Sequence, residues 1–268
     1  MFIKLENHKF YGYTAGKKIN KKKPTIIFVH GAANDHSVWS LQSRYFSFHN
    51  WNSIAVDLPG HGKSQGPLLD NIGNLSDWLN KFLTELDICP TVVVGHSMGS
   101  LIAIEFAANF RDKISGLVLV GTASPMPVSE NLLLTASKHP NQAYQLVNNF
   151  SFSAQGHIGP NAVPGAWIAG AGIRLMERSQ DQALYKDFVA CNTYLDGLSS
   201  AKKITCPSLL ISGLRDKMTP PKLSIKLLEA LSVSGNCQKV NLESGHSIMA
   251  EKPDEVLNSL INFTKSLT

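Results

Sequence analysis

Cysteine is scarce and poorly placed for cross-linking. Cys89, Cys191, Cys206 and Cys237 stand far apart with no close pairing, which excludes a zinc ribbon, a redox dithiol and a disulfide scaffold. Reduced, buried thiols are the expectation. Long apolar runs are also missing. No stretch approaches the roughly 20 apolar residues that a spanning helix needs. The opening segment MFIKLENHKFYGY alternates polar and apolar residues, unlike the unbroken apolar centre of a secretory leader. A soluble cytoplasmic protein without membrane contact is expected.

Charge is modest, with 17% charged residues and a formal net charge of +5. Most of the excess sits in Lys17, Lys18, Lys21, Lys22 and Lys23. No aromatic residues interleave with these lysines to stack bases, so the run reads as a solvated turn and no nucleic-acid partner is expected. What is present is an ordinary globular composition, 43% hydrophobic over 268 residues. That length suits one α/β unit carrying an insertion.

Short β-rich apolar runs recur at residues 24–30, 52–57, 91–95, 116–121, 207–212 and 238–242, with helical stretches at 36–48, 71–86, 98–110, 221–231 and 253–267. Most of the strand runs are nearly continuous in hydrophobicity, as strands buried on both faces must be. Alternation of strand and helix implies a mostly parallel sheet covered by helices on both sides. The alternating segment before Lys17 fits an antiparallel hairpin at the edge. Between residues 121 and 207 the rhythm breaks, far beyond the usual connection of about 2–6 residues. The expectation is a core of residues 1–121 and 203–268 with a mostly helical cap at 122–202.

Gly95-His96-Ser97-Met98-Gly99 follows a β-branched strand and precedes the helical run SLIAIEFAANF. Such a sharp strand-to-helix turn lifts a serine hydroxyl clear of the sheet, while the flanking glycines admit close backbone packing. The helix behind it aims free N–H groups and its positive dipole end at a reacting oxygen. Ser97 is the candidate nucleophile. A serine hydroxyl needs a base, and the base needs an acid to orient it. Of nine histidines, His246 lies directly after the last strand run, at the sheet edge where catalytic groups gather. His30 reads as a loop-shaping residue and His96 as fixed within the elbow. Asp216, after the strand run before last, completes the order serine, acid, histidine. Its rival, Asp57, opens the turn-rich Asp57-Leu58-Pro59-Gly60-His61-Gly62, where a structural aspartate is unsurprising.

Five blocks in order, Phe28-Val29-His30-Gly31-Ala32-Ala33, Asp57 to Ser64, the Ser97 elbow, the Asp216 loop and the His246 loop, make the chain resemble the α/β-hydrolase superfamily of esterases, lipases and C–C hydrolases. The resemblance spans nearly the whole length. It implies an eight-stranded, mostly parallel sheet with an antiparallel second strand, and a cap between strands six and seven. It implies a Ser97–His246–Asp216 triad and an oxyanion hole from the backbone N–H groups of Ala32 and Met98, with no metal or organic cofactor. Gly31-Ala32-Ala33 departs from the HGGG form of some members, which tells against bulky tertiary-alcohol esters.

The implied activity is hydrolysis of small or medium carboxylic esters through an acyl-enzyme. C–C bond or thioester hydrolysis with the same triad, or a small-molecule receptor on the same fold, are the alternatives. Haloalkane dehalogenase and the usual epoxide hydrolase chemistry would demand an aspartate at Ser97. Apolar cap residues either line a pocket or bury the cap's own helices. Trp39, Met126, Trp167 and Met249 are assigned to the substrate pocket, and Arg174 and Arg178 to a solvated helix face. Oligomeric state is not legible.

Overall fold

The computed structural model describes residues 1–88, 90–158, 165–233 and 236–267; Cys89 lies outside them. The strands are β1 (Phe2–Leu5), β2 (His8–Tyr13), β3 (Thr25–Val29), β4 (Asn52–Val56), β5 (Thr91–His96), β6 (Ile114–Val120), β7 (Ser208–Gly213) and β8 (Cys237–Leu242). They form one eight-stranded sheet in the order β1-β2-β4-β3-β5-β6-β7-β8. β2 pairs antiparallel with β1 and β4, and the remaining pairs are parallel. The sheet and its topology are those the resemblance implies.

The helices are α1 (Ser40–Phe48), α2 (Ile72–Leu86), α3 (Met98–Asn109), α4 (Glu130–Lys138), α5 (Pro140–Ser151), α6 (Ala154–Ile158), α7 (Ile168–Glu177), α8 (Ala183–Thr193), α9 (Gly197–Ala201), α10 (Ile225–Ser232), α11 (Ile248–Glu251) and α12 (Pro253–Lys265). The helix expected over 36–48 begins as a 3-10 turn at His36–Trp39, where the Asp35 side chain accepts from Ser37 N and caps the entry. α12 starts with a proline in its first turn, where the missing N–H costs little.

Strand residues divide between the two faces with period two. Ile27, Val29, Ile54, Val56, Val93, Leu117, Leu119 and Leu210 pack with α2, α3 and α10 on one side. Ile26, Phe28, Ala55, Val92, Val94, Val118, Leu209 and Ile211 pack with α1 and α12 on the other. β3 to β7 are therefore almost wholly buried, whereas β1 and β8 alternate between exposed and half-buried residues. α2 buries Leu75, Leu79, Phe82 and Leu83 along one stripe, but α3 is buried nearly all round. That is why the sequence around α3 shows no amphipathic pattern.

From α4 to α9 the described chain contains no strand. Ala136, Ala143, Tyr144, Val147, Met176, Leu184 and Phe188 form a separate apolar cluster there, and it encloses Ala33 from the core. Among the described residues no helix is long and apolar enough to cross a membrane. Cys191 is buried, while Cys206 and Cys237 are half-buried, and all three are free thiols. The expectation of buried thiols thus holds for Cys191 and is corrected for the other two, which lie two residues before β7 and at the first position of the edge strand β8.

β5 and α3 meet so closely that a side chain at Gly95 would overlap the Gly99 carbonyl, and one at Gly99 would stand 2.5 Å from Val29 O. Both neighbours are backbone and have no rotamer through which to yield. Gly95→Ala is therefore expected to destabilise the fold by at least the ~1–3 kcal/mol typical of overpacking, read as a lowered urea midpoint. An unchanged midpoint would show that the elbow has slack.

Candidate active site

Ser97 joins β5 to α3 with φ 52° and ψ −120°, a left-handed φ that is rare for a residue with a Cβ. Its N–H donates to Val120 O at 3.0 Å, pinning the turn to the neighbouring strand. The loop after β3 lies against it: a Cβ on Gly31 would be 3.1 Å from Ser97 Cβ. Met98 supplies the first N–H of α3, one of the helix donors without an intrahelical partner. Ala32 and Ser97 line two cavities together. Ala32 and Met98, the two residues that the resemblance assigns as donors, thus adjoin the cavities beside the candidate nucleophile or follow it directly.

His246 follows β8, and its Nδ1–H donates to Asp216 Oδ2 at 2.8 Å. Thr219 Oγ1 donates to the same carboxylate oxygen at 2.8 Å and lies 3.1 Å from His246 Nδ1. Asp216 Oδ1 accepts from Met218 N and Thr219 N, each at 2.8 Å. Burial alone would raise this carboxyl, but the His246 ring and the Thr219 bonds outweigh it and hold Asp216 down to about 2. An ionised carboxylate facing Nδ1 can only accept, so that ring nitrogen carries a proton and the ring's orientation is fixed. Ser97 and His246 line the same cleft. Among the described residues, the Ser97 hydroxyl makes no hydrogen bond to the imidazole; such bonds are often long in unliganded sites.

Asp57 lies elsewhere. Its Oδ1 accepts from His36 N and His36 Nδ1, both at 2.7 Å, and its Oδ2 accepts from Lys63 N at 2.8 Å. Burial pushes this carboxyl up, yet those bonds prevail and lower it. Asp57 ties the loop it opens to the turn at His36. His30 donates from Nδ1 to Gly31 O and accepts at Nε2 from Leu58 N, and His96 donates from Nε2 to His246 O at 3.0 Å. Both are committed as neutral rings that shape the adjoining loops.

The cleft of about 60 Å³ beside Ser97 and His246 is lined by Val147, Asn148, Phe152, Met176, Phe188 and Met218, among others. Met126 lines an adjoining cavity of about 220 Å³ with Val128, Leu132, Phe150 and Phe188. Met249 lines a third, about 150 Å³, beside His96. The other two pocket assignments are corrected. Trp39 is fully buried and packs on Phe28, so it is a core residue. Trp167 is 69% exposed on the surface at the start of α7. Arg178 is largely exposed but pairs with Asp35 at 3.2 Å. A larger cavity, about 340 Å³, opens between His36, Lys63 and Arg178 and is lined by neither Ser97 nor His246.

Sequence reasoning missed several residues around the site. Thr219 supports Asp216 as described. Glu251 Oε1 accepts from Gly245 N at 2.9 Å and Ser153 N at 3.1 Å, and Glu251 Oε2 accepts from Ser153 Oγ. Ser247 N donates to Ser151 O at 2.9 Å, so the end of α5 is fastened to the histidine loop. A short Asp-x-x-Thr spacing was the available signal for Thr219; nothing local points to Glu251. Among the described residues, Asp35, His36 and Asp57 offer ligand atoms within 4.8 Å of one another. Each is already spent: Asp35 Oδ1 on Ser37 N, Asp35 Oδ2 on Arg178, and Asp57 Oδ1 on His36.

A family model described as alpha/beta hydrolase fold matches residues 24–165, more than half of the chain. A protein of Acinetobacter baylyi named (E)-2-((N-methylformamido)methylene)succinate hydrolase is 25% identical over 209 residues, covering 75% of this chain and 76% of that one. The crystal structure of the enol-lactonase from Burkholderia xenovorans superposes with a TM-score of 0.86 at 21% identity, over 99% of this chain and 100% of that one. An esterase from Exiguobacterium antarcticum gives 0.84 at 18% identity, over 98% of each chain. At those identities the two structures establish the fold alone.

Burial pushes His96 down to about 3 and His30 down to about 4, from 6.5. A ring whose folded value is depressed takes up its proton more readily in the unfolded chain, so stability falls as pH drops below 6.5 towards those values. The slope is at most about 1.4 kcal/mol per pH unit for each ring. Denaturant titrations at pH 6.5 and pH 4 are expected to show this loss, and His96→Asn to show less of it. An identical loss in His96→Asn would mean that this ring does not stay neutral in the fold.

Proposed function

We propose that this chain, which belongs to the alpha/beta hydrolase fold family, is a serine hydrolase that cleaves carboxylic esters of small or medium size through an acyl-enzyme on Ser97. The observation that carries the reading is the buried Asp216–His246 pair at 2.8 Å, which prepares an imidazole base in the cleft that Ser97 lines. His246 Nε2 takes the Ser97 proton as Oγ attacks the ester carbonyl. The tetrahedral oxyanion is met by Ala32 and Met98 N–H groups, worth ~10²–10³ in rate each because the charge appears only in the transition state. Asp216 stabilises the imidazolium, which then protonates the departing alkoxide. Water, activated by the same imidazole, releases the acid and restores Ser97.

Substrate size follows from the cavities. The larger of the two described cavities that Ser97 lines, about 220 Å³ and walled by Met126, Val128, Leu132, Phe150 and Phe188, falls below the ~300–1,000 Å³ of pockets that enclose drug-sized ligands. Its apolar walls suit a short hydrocarbon arm of the ester. Residues 122–202 act in this reading as the cap over the cleft, supplying Phe150 and Phe188 to that wall. The ester and hydrolase names of the similar proteins support the reaction class.

A fluorophosphonate probe is expected to label the wild-type protein and to miss Ser97→Ala, and wild type is expected to cleave short p-nitrophenyl esters. Folded wild type that resists both would refute the hydrolase reading. Asp216→Asn is expected to keep the fold and lose about 10³–10⁴-fold in kcat through a misplaced imidazole proton. Asp57→Asn is expected to retain turnover. The reverse pattern would make Asp57 the acid. A panel of graded esters beside thioesters and a vinylogous diketone reads the bond preference; a thioester or diketone preferred over every ester would transfer the reaction class.

A further inference from the structure

Ala33, one residue beyond the Ala32 donor, has φ 50°. A left-handed φ is strained for any residue with a Cβ and persists only where the surroundings over-determine it. Three grips on Ala33 come from the segment between β6 and β7. Its N–H donates to Asp187 Oδ2 of α8 at 2.8 Å. Its carbonyl accepts from Ser179 Oγ at 3.0 Å. Its methyl is fully buried among Ala136, Ala143, Tyr144, Val147 and Phe188.

Asp187 is itself held. His61 Nε2 lies 3.0 Å from the same Oδ2, and His61 Nδ1 lies 3.0 Å from Pro59 O. A carbonyl and a carboxylate only accept, so both ring nitrogens must carry protons and His61 is an imidazolium. Burial opposes that charge, but the Asp187 carboxylate prevails and raises His61. The neighbouring His30 ring, 5.1 Å away, stays neutral. A buried, charge-assisted pair of this kind is stronger and more directional than a neutral bond. Two donors, one from the oxyanion loop and one from the turn after Asp57, thus converge on a single oxygen contributed by α8.

We infer that Asp187, braced by His61, is a positioning residue for the oxyanion hole: through the Ala33 N–H it fixes the loop that aims the Ala32 N–H at the developing oxyanion. This rests on the serine-hydrolase reading above. It makes the cap a working part of the transition-state site as well as a cover for substrate. Asp187 touches no reacting atom. Its removal relaxes an aim that matters only when charge appears on oxygen, so the loss falls on kcat rather than on KM.

The test is Asp187→Asn, which keeps the shape but leaves His61 without a counter-charge, beside the double variant His61→Leu with Asp187→Leu. Replacing a buried ion pair with apolar residues often restores stability, yet leucine cannot hold the Ala33 N–H. Hydrolysis of a p-nitrophenyl ester that wild type cleaves, the rate of fluorophosphonate labelling, and thermal melting are measured for each. Both variants are expected to lose about 10-fold to 100-fold in kcat, part of the ~10²–10³ that a whole oxyanion donor supplies. Labelling should slow in step, with KM within about threefold of wild type. A folded variant with kcat within about twofold of wild type, or a loss confined to KM, overturns the assignment. Should Asp187→Asn fail to fold, the double variant alone decides. Ser97→Ala separates the two readings: if it keeps turnover, the hydrolase reading and this one fall together, whereas an inactive Ser97→Ala beside an unimpaired double variant removes only the positioning role.

Discussion

The rest of the site depends on a backbone constraint, the left-handed φ of 52° at Ser97. Such a conformation costs on the order of 1–3 kcal/mol and survives only because the chain on both sides is immobile. β5 supplies one anchor through five parallel pairings with β3 from Thr25 to Val29. α3, buried on nearly every side, supplies the other. The absence of side chains at Gly95 and Gly99 lets strand, helix and the β3 carbonyls meet at backbone distance. The same closeness brings the Gly31 turn against Ser97. The strained serine and its neighbouring N–H donors are thus consequences of one packing arrangement.

A second constraint governs the His246 loop. His246 is reached by a loop after an edge strand, and β8 is only partly buried, so the sheet gives that loop less support than it gives the elbow. Support arrives from polar contacts instead. Asp216 and Thr219 hold the ring at Nδ1, His96 donates to the His246 carbonyl, and Glu251 and Ser151 fasten the flanking backbone. Several of these contacts are buried and charge-assisted, where each is worth more than at the surface.

Legibility divides along the same line. β3 to β7 were readable because strands covered on both faces become continuous apolar runs, and the Ser97 elbow was readable because its glycines are local and obligatory. Asp216 and His246 followed from their place after β7 and β8. The Trp39 and Trp167 assignments failed because an aromatic residue near a site loop carries no mark of direction. Trp39 turns inward onto Phe28, and Trp167 stays at the surface over Gly170. Glu251 and Asp187 were invisible for another reason. Glu251 reaches Ser153 across 98 positions of sequence and Asp187 reaches Ala33 across 154, and an isolated carboxylate in a helical stretch looks like any solvated one until the fold buries it.

That blindness is informative about the insertion between β6 and β7. An insertion that served only to bury its own helices would need apolar residues on its inner face and little else. This one also buries Asp187 completely, at a desolvation cost that a hydrophobic side chain would avoid. The carboxylate is offset by an imidazolium from the turn after Asp57 and by an N–H from the oxyanion loop. Its partners, rather than its own burial, give it a purpose: His61 and Ala33 belong to two loops that frame the Ser97 edge of the sheet, and α8 is where they are tied together. The loops after β3 and β4 therefore share one electrostatic junction on α8, and under the proposed hydrolase reading that junction couples the packing of the insertion to the geometry around Ser97.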